Sequence, residues 1–241
     1  MSAPFYPASG FINVNKAEGV SSAREVAVIK RLTGLPCGHM GTLDPMATGV
    51  LPVAVGNATR LFDFFLGKRK RYVAEFTFGF ETDTLDTTGA VVKDGGTVPT
   101  LQQINSALPS LVGEYDQVPP AYSAKSVNGE RGYKLARRGE QVTLPSKRVS
   151  VGEFCCLGQV SQGVFRFEIE CGSGTYIRSL ARDLAALVGT YATMNALCRT
   201  KSGPFEIEYS VETRQLDRDN IYASLIPADS VLPYPEVKLT A

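Results

Sequence analysis

A strict alternation runs from Tyr72 to Phe80, with Tyr72, Ala74, Phe76, Phe78 and Phe80 on one side. Period-two patterning of this kind predicts a β-strand, and an aromatic face of that length must be buried. Strands are predicted also at Phe11–Asn15, around Val149–Phe154 and around Val164–Cys171. The apolar, Gly-bounded run Thr48–Val55 reads as a buried strand or a short turn. Among helices, Tyr176–Val188 has the clearest pattern. Ile177, Leu180, Ala181, Leu184, Leu187 and Val188 form its stripe, and Gly189 ends it. Ser22 with Glu25 makes a capping-box signature for a helix to about Leu32, with Gly34 beyond. Thr100 with Gln103 caps another, through about Leu108, and Asn57 caps a short one over Ala58–Leu66. Asn128-Gly129 is a turn signal between Tyr122–Val127 and a helical segment Tyr133–Arg138.

Strands outnumber helices, and their connections are too irregular for repeated βαβ units. The expected class is therefore α+β, on a mixed, largely antiparallel sheet flanked by helices. Without repeats, low-complexity segments or a convincing linker, residues 1–241 read as a single domain with a poorly patterned tail over about 210–241.

With 44% hydrophobic and 20% charged residues the chain is ordinary globular material, and a net charge of +1 neither suggests nor excludes a nucleic-acid partner. The distribution is more informative. Lys68-Arg69-Lys70-Arg71 is a tight basic run, Arg131, Lys134, Arg137 and Arg138 form another cluster, and Lys147-Arg148 a third. Segregated basic patches are compatible with a phosphate-binding face. The cysteines are five, none in a C-x-x-C pair, and there is one histidine; a disulfide framework and a His/Cys metal site are both disfavoured. The N-terminus lacks a basic n-region and a long apolar core, and no apolar run matches a bilayer span, so a cytoplasmic protein is expected.

One further stretch carries chemistry. Gly38-His39-Met40-Gly41-Thr42-Leu43-Asp44-Pro45, continuing to Pro52, holds the only histidine five residues before an aspartate in a Gly/Pro-punctuated loop. Pro45 biases Asp44 away from the helical region, and a carboxylate on such a loop is placed for work outside the core. Alone, Asp-Pro is a common turn dipeptide.

The rest of the chain changes the balance. The Gly38–Pro52 stretch resembles the catalytic loop of the TruB-type tRNA pseudouridine synthases. Lys70-Arg71-Tyr72 opening a strand is similar to that family's second motif. Gln117-Val118-Pro119-Pro120-Ala121-Tyr122-Ser123-Ala124-Lys125, with Gly129 and Tyr133 downstream, is similar to its third. Cys171-Gly172-Ser173-Gly174-Thr175-Tyr176-Ile177-Arg178 opening a helix resembles the fourth. Leu197, Arg199-Thr200 and Gly203–Phe205 resemble the segment that closes the catalytic domain. These matches occur in family order over most of residues 11–205.

The resemblance implies a pseudouridine synthase fold with the active cleft across its middle, and isomerisation of uridine 55 in the tRNA T-loop. No cofactor or metal is implied. The partner is the T-arm of tRNA, no protein partner is required, and a monomer is expected. Asp44 is then the nucleophile or base. Attack at C1′, attack at C6 of uracil and removal of the 2′-proton all stay open. Arg178 is expected to pair with Asp44, because a guanidinium favours the ionised carboxylate. A cation in a helix's first turn also opposes the macrodipole and calls for an anion nearby. Tyr72 is expected to stack on the extruded uracil. His39 would fill the space the base leaves, offsetting part of the unstacking cost. Tyr176 and Leu197 are base-binding candidates, and Lys16 is read as supporting or phosphate-binding. The RNA-gripping insertion is placed at about 118–146, where Lys125, Arg131, Lys134 and Arg137 are phosphate-contact candidates.

The chain departs from the family pattern at Met40, usually threonine, and at Cys198, often basic. After Phe205 it has too few residues for a full C-terminal RNA-binding domain of the PUA type. Two rivals remain: a tRNA-binding or folding module with secondary or lost catalysis, and a pseudouridine synthase acting on another RNA.

Overall fold

The computed structural model describes residues 9–123, 126–127, 130–131 and 144–231. They divide into two compact units, one drawn from Met1–Arg71 and Cys198–Ala241, the other from Tyr72–Leu197.

The first unit opens with β1 (Gly10–Lys16), α1 (Ser22–Thr33), β2 (Cys37–His39) and β3 (Thr48–Val55); α2 (Phe62–Leu66) and the start of β4 (Lys70–Phe78) follow. β1 lies antiparallel along β3, from Gly10 opposite Val55 to Lys16 opposite Gly49. The other edge of β3 is shared. β2 covers it from Val53 to Val55, while the end of a later strand, β12 (Ala192–Ser202), runs parallel beside Thr48 and Gly49. Phe11 of β1 meets Phe65 and Phe205 edge-on, at 4.9 and 5.6 Å between ring centroids. These rings, with Met40, Val50, Ala54 and Ala58, make an apolar core.

The sequence signals for α1 need one correction. The N-cap is Ser21, whose hydroxyl accepts from the Arg24 amide, rather than Ser22 in a capping box. Ser22 is the first helical residue, and its buried hydroxyl is engaged by Leu43 instead. The tail, unpatterned in sequence, is tied to β1 through backbone. Phe11 and Ile226 exchange N–H···O bonds of 2.8 and 2.7 Å, and Val211 bonds to Asn13 and Asn15. Such pairing leaves no mark on side-chain pattern.

In the second unit come β5 (Glu81–Thr82), β6 (Val91–Lys93), α3 (Leu101–Ala107), β7 (Gly113–Gln117), β8 (Ser126–Val127) and β9 (Glu130–Arg131). β10 (Lys147–Ser161), β11 (Val164–Cys171) and α4 (Ile177–Leu187) follow. The order here is β12-β4-β11-β10-β7, with β10 antiparallel to both neighbours. Lys70, Tyr72, Ala74, Phe76 and Phe78 are the buried positions of β4. The strand stops before Phe80 because Gly79 turns the backbone to φ 115° and gives its N–H to Tyr191. Phe76 stacks on Phe167 at 4.7 Å, and Phe154 meets both rings edge-on.

α4 buries Ile177, Leu180, Ala181 and Leu184 as its stripe predicts, while Leu187 is exposed. Thr100 and Gln103 form the expected capping box on α3. β10 is far longer than predicted; its three register shifts break the alternation that the sequence would otherwise show. β12 was not legible as a strand, because polar residues and a buried arginine interrupt its apolar positions. The helix expected at Tyr133–Arg138 lies outside the described residues. Among the described residues no helix is long and apolar enough to cross a membrane.

Candidate active site

Asp44 stands mid-way along the loop from β2 to β3, and its neighbours are fixed on both sides. Before it, the Leu43 amide donates to Ser22 Oγ, which donates to the Leu43 carbonyl, each at 2.9 Å. After it, the Pro45 carbonyl accepts from the Gly19 amide at 2.8 Å and from Lys16 Nζ at 3.0 Å. The Asp44 carbonyl accepts from Ala47 N–H at 3.0 Å, closing a turn. The side chain itself is half-buried. A carboxylate on backbone held this way has few rotational states to lose on meeting a substrate.

Lys16 is fully buried. Its amine donates to the carbonyls of Ala17, Val20 and Pro45 at 2.9, 2.6 and 3.0 Å. Three acceptor-only partners require all three ammonium protons, so none is left for a phosphate. Burial pushes its pKa below the ordinary lysine value, while the carboxylates of Glu25, Asp44 and Glu18 oppose the shift.

His39 ends β2, paired with Val53. Burial, aided by the Arg199 guanidinium, lowers its pKa below the usual 6.5, so the ring is neutral at pH 7. Its Nδ1 is buried without a hydrogen-bond partner among the described residues. Met40, next along, is 1% exposed and sits in the Phe11–Phe65–Phe205 core, its amide on the Pro52 carbonyl at 2.9 Å. A threonine there would bring a hydroxyl into an apolar cluster; methionine anchors the loop by packing.

The second unit carries Tyr72, Tyr176, Arg178 and Leu197, three of them 6–8% exposed and Tyr176 half-buried. Arg178, in the first turn of α4, donates to the carbonyls of Thr84 at 2.8 Å and Tyr122 at 3.1 Å, and lies 3.5 Å from Asp86 Oδ2. Asp86 supplies an anion at a helix start that a cation would otherwise disfavour. Its other oxygen accepts from Thr84 Oγ1 and from the Thr88 amide and hydroxyl. Leu85, between Thr84 and Asp86, has φ 62°, the only positive φ among the described non-glycine residues. Strain of that kind clusters at functional sites. Tyr176 is the N-cap position of α4 and has no side-chain cap. Gln117 holds it instead, accepting from its amide at 2.8 Å and donating to its carbonyl at 3.2 Å. Gln117 Nε2 also donates to Tyr115 Oη, whose phenol burial keeps protonated and bonded to Asp183.

Lys125, Lys134 and Arg137 lie outside the described residues; Arg131 is described in backbone only, opposite Ser126 across β8 and β9. Sequence reading missed Ser22 as a loop clamp, Asp86, Gln117 and Arg199. Gln117 and Arg199 stood inside quoted motifs without a role, and Ser22 was read as a helix cap. The contacts of Ser22 with Leu43, of Gln117 with Tyr176 and of Arg199 with Gly41 and Val50 join segments distant in sequence, and local pattern does not show them. Among the described residues no cluster of His, Cys, Asp and Glu is placed to hold a metal.

Residues 30–177 match the model of the TruB family pseudouridylate synthase N-terminal domain. The chain belongs to the TruB family. The match includes His39, Asp44, Tyr72, Asp86, Gln117 and Tyr176 and stops one residue short of Arg178. Relatives named tRNA pseudouridine synthase B include one from Nitrobacter winogradskyi, 40% identical over 92% of this chain and 65% of its own length. Another, from Clostridium tetani, is 39% identical over 93% of this chain and 78% of its own length. Compared with the Nitrobacter protein, this TruB-family chain spans just under two thirds. Among solved structures, a chain of a Cbf5-Nop10-Gar1 complex aligns at TM-score 0.67 with 31% identity, covering 88% of this chain and 54% of that one. A chain of an H/ACA RNP bound to a substrate RNA containing 2′-deoxyuridine gives TM-score 0.64 and 26% identity, with coverage of 92% and 61%. The α+β, largely antiparallel mixed sheet is thus the pseudouridine synthase fold.

Proposed function

We propose that this TruB-family chain isomerises uridine to pseudouridine in tRNA, at position 55 of the T-loop, with Asp44 as the catalytic carboxylate. The observation that carries this reading is the two-sided backbone fixation of Asp44 by Ser22, Lys16 and Gly19, with the carboxylate left half-exposed. It is supported by the relatives' name, tRNA pseudouridine synthase B.

The reaction breaks the N1–C1′ bond, turns the uracil, forms C5–C1′ and moves the C5 proton to N1, so atoms balance without a redox partner. A carboxylate serves it by adding to C1′ or C6, or by taking the 2′-proton. In this reading Arg178 keeps Asp44 ionised and oriented, as a guanidinium does for a carboxylate. Tyr72 stacks on the extruded base, with Tyr176 and Leu197 beside it, and the neutral, flat His39 ring takes the vacated place in the RNA stack. Lys125, Arg131, Lys134 and Arg137 contact phosphate. The protein acts as a monomer, in the cytoplasm, without a cofactor.

The test is incubation with an unmodified tRNA transcript followed by mapping of pseudouridine in the T-arm. Product at position 55 with the wild type and none with Asp44→Asn is expected. An Asp44→Asn protein modifying tRNA at the wild-type rate would overturn the mechanism. RNA bound without product would favour a binding module, and product only in another RNA the other rival.

A further inference from the structure

Arg199 is the largest of the fully buried side chains among the described residues, 1% exposed. Buried guanidinium groups are normally matched by carboxylates. Here the hydrogen bonds go to backbone: Nε donates to the Val50 carbonyl at 2.7 Å and Nη2 to the Gly41 carbonyl at 2.9 Å. Gly41 and Val50 bracket the Asp44 loop, one at each end. The backbone of Arg199 meets the same loop, because its residue pairs in parallel with Gly49.

The glycines fit this contact. Gly49 has φ 94°, and a Cβ there would stand 2.3 Å from the Arg199 carbonyl oxygen. Gly41 has φ 107°, and a Cβ there would lie 3.5 Å from Arg199 Nη1. One side chain and one peptide thus hold both ends of the loop, while Ser22 and Lys16 hold its centre.

We propose that Arg199 is a positioning residue for catalysis, a tether that sets the span of the Asp44 loop. The inference rests on Asp44 being the catalytic carboxylate. Arg199 touches neither RNA nor reacting atoms in this role; it acts through the loop. Methionine matches its stem but has no donor. Lysine keeps the charge but offers one nitrogen, where Arg199 meets Val50 and Gly41 with two separate nitrogens of a planar, rigid fork.

The test uses the full chain with Arg199→Met, Arg199→Lys and Asp44→Asn, an unmodified tRNA transcript, and single-turnover conditions. Expected are RNA affinities within about threefold of wild type and rates reduced about a hundredfold or more for Arg199→Met and at least about tenfold for Arg199→Lys. The single histidine adds a readout that general weakening would not move. In the NMR titration of His39, the midpoint should rise in Arg199→Met, where the neighbouring charge is gone, and hold in Arg199→Lys. If Asp44→Asn keeps the wild-type rate, the function reading itself fails. If Asp44→Asn is inactive while a folded Arg199→Met or Arg199→Lys retains its rate within about threefold, the tether alone is overturned. Failure of both Arg199 variants to fold would overturn it too, because a tether serving only the loop leaves the core intact.

Discussion

Lys16 Nζ lies 3.0 Å from the carbonyl oxygen of Pro45, the residue after Asp44, and is buried there with two further carbonyls, of Ala17 and Val20. A lysine that would ordinarily be a surface charge is thereby a strut under the Asp44 loop. Replacing it by methionine keeps the stem but takes the Lys16 donor from the Ala17 and Val20 carbonyls and leaves Pro45 with the Gly19 amide alone. Lys16→Met should cost about 2–4 kcal/mol of stability, read from urea unfolding, and should lower the single-turnover rate as the loop loosens. An unchanged urea midpoint would contradict the assignment.

Ser22 predicts a separable effect. Ser22→Ala removes both bonds to Leu43 but little volume, at an expected cost of about 1–3 kcal/mol. Since the hydroxyl is buried and acts on Asp44 only through the adjacent Leu43 peptide, turnover should fall while tRNA affinity stays. A fall in affinity with normal single-turnover rate would be the wrong sign.

Asp86→Ala strips one carboxylate from beside Arg178 and the acceptor from Thr84 and Thr88. A loss of about 2–4 kcal/mol is expected, because removing one member of a buried network exposes the desolvation cost of the others. Hydrogen exchange at the Thr88 amide should accelerate with it.

Met40→Ala tests the core anchor. At 1% exposure the truncation leaves a cavity, with an expected cost of about 2–5 kcal/mol by thermal or urea unfolding. A surface-like value below about 0.5 kcal/mol would show that the side chain does not pack where it is placed.

His39 makes stability depend on pH with a definite sign. Its folded pKa is lowered by burial and by Arg199, so between that value and the ordinary 6.5 the unfolded chain binds more protons. Its contribution is complete above pH 6.5 and is lost as pH falls through the folded value. Urea midpoints of wild type and His39→Gln, compared from pH 7.5 down to about 5, should converge on acidification. Parallel curves would show that the ring is not buried neutral.

Much of the architecture was legible because its signals are local. The aromatic alternation from Tyr72 and the stripe of α4 are periodicities that a strand or helix imposes on its own residues. Gly79 moved the end of β4, and bulges lengthened β10 past its legible part, since both are backbone events. The candidate residues divide in the same way. His39, Asp44, Tyr72 and Arg178 stand in quotable motifs, whereas the partners of Arg178 within its own unit come from far along the chain: the Thr84 carbonyl 94 positions earlier, with Asp86 beside it, and the Tyr122 carbonyl 56 positions earlier.

By itself, the amino-acid sequence determined the α+β class, the main strands and helices, and the Gly/Pro loop that presents Asp44. Those follow from patterns a chain carries within a few residues. Only the tertiary structure decided that Lys16 ends on three carbonyls, that Ser22 clamps Leu43 instead of capping α1, that Met40 is core, and that Arg199 spans the loop. Buried polar groups take whatever donor or acceptor the fold brings within 3 Å, and a backbone carbonyl offers the same oxygen whatever residue it belongs to.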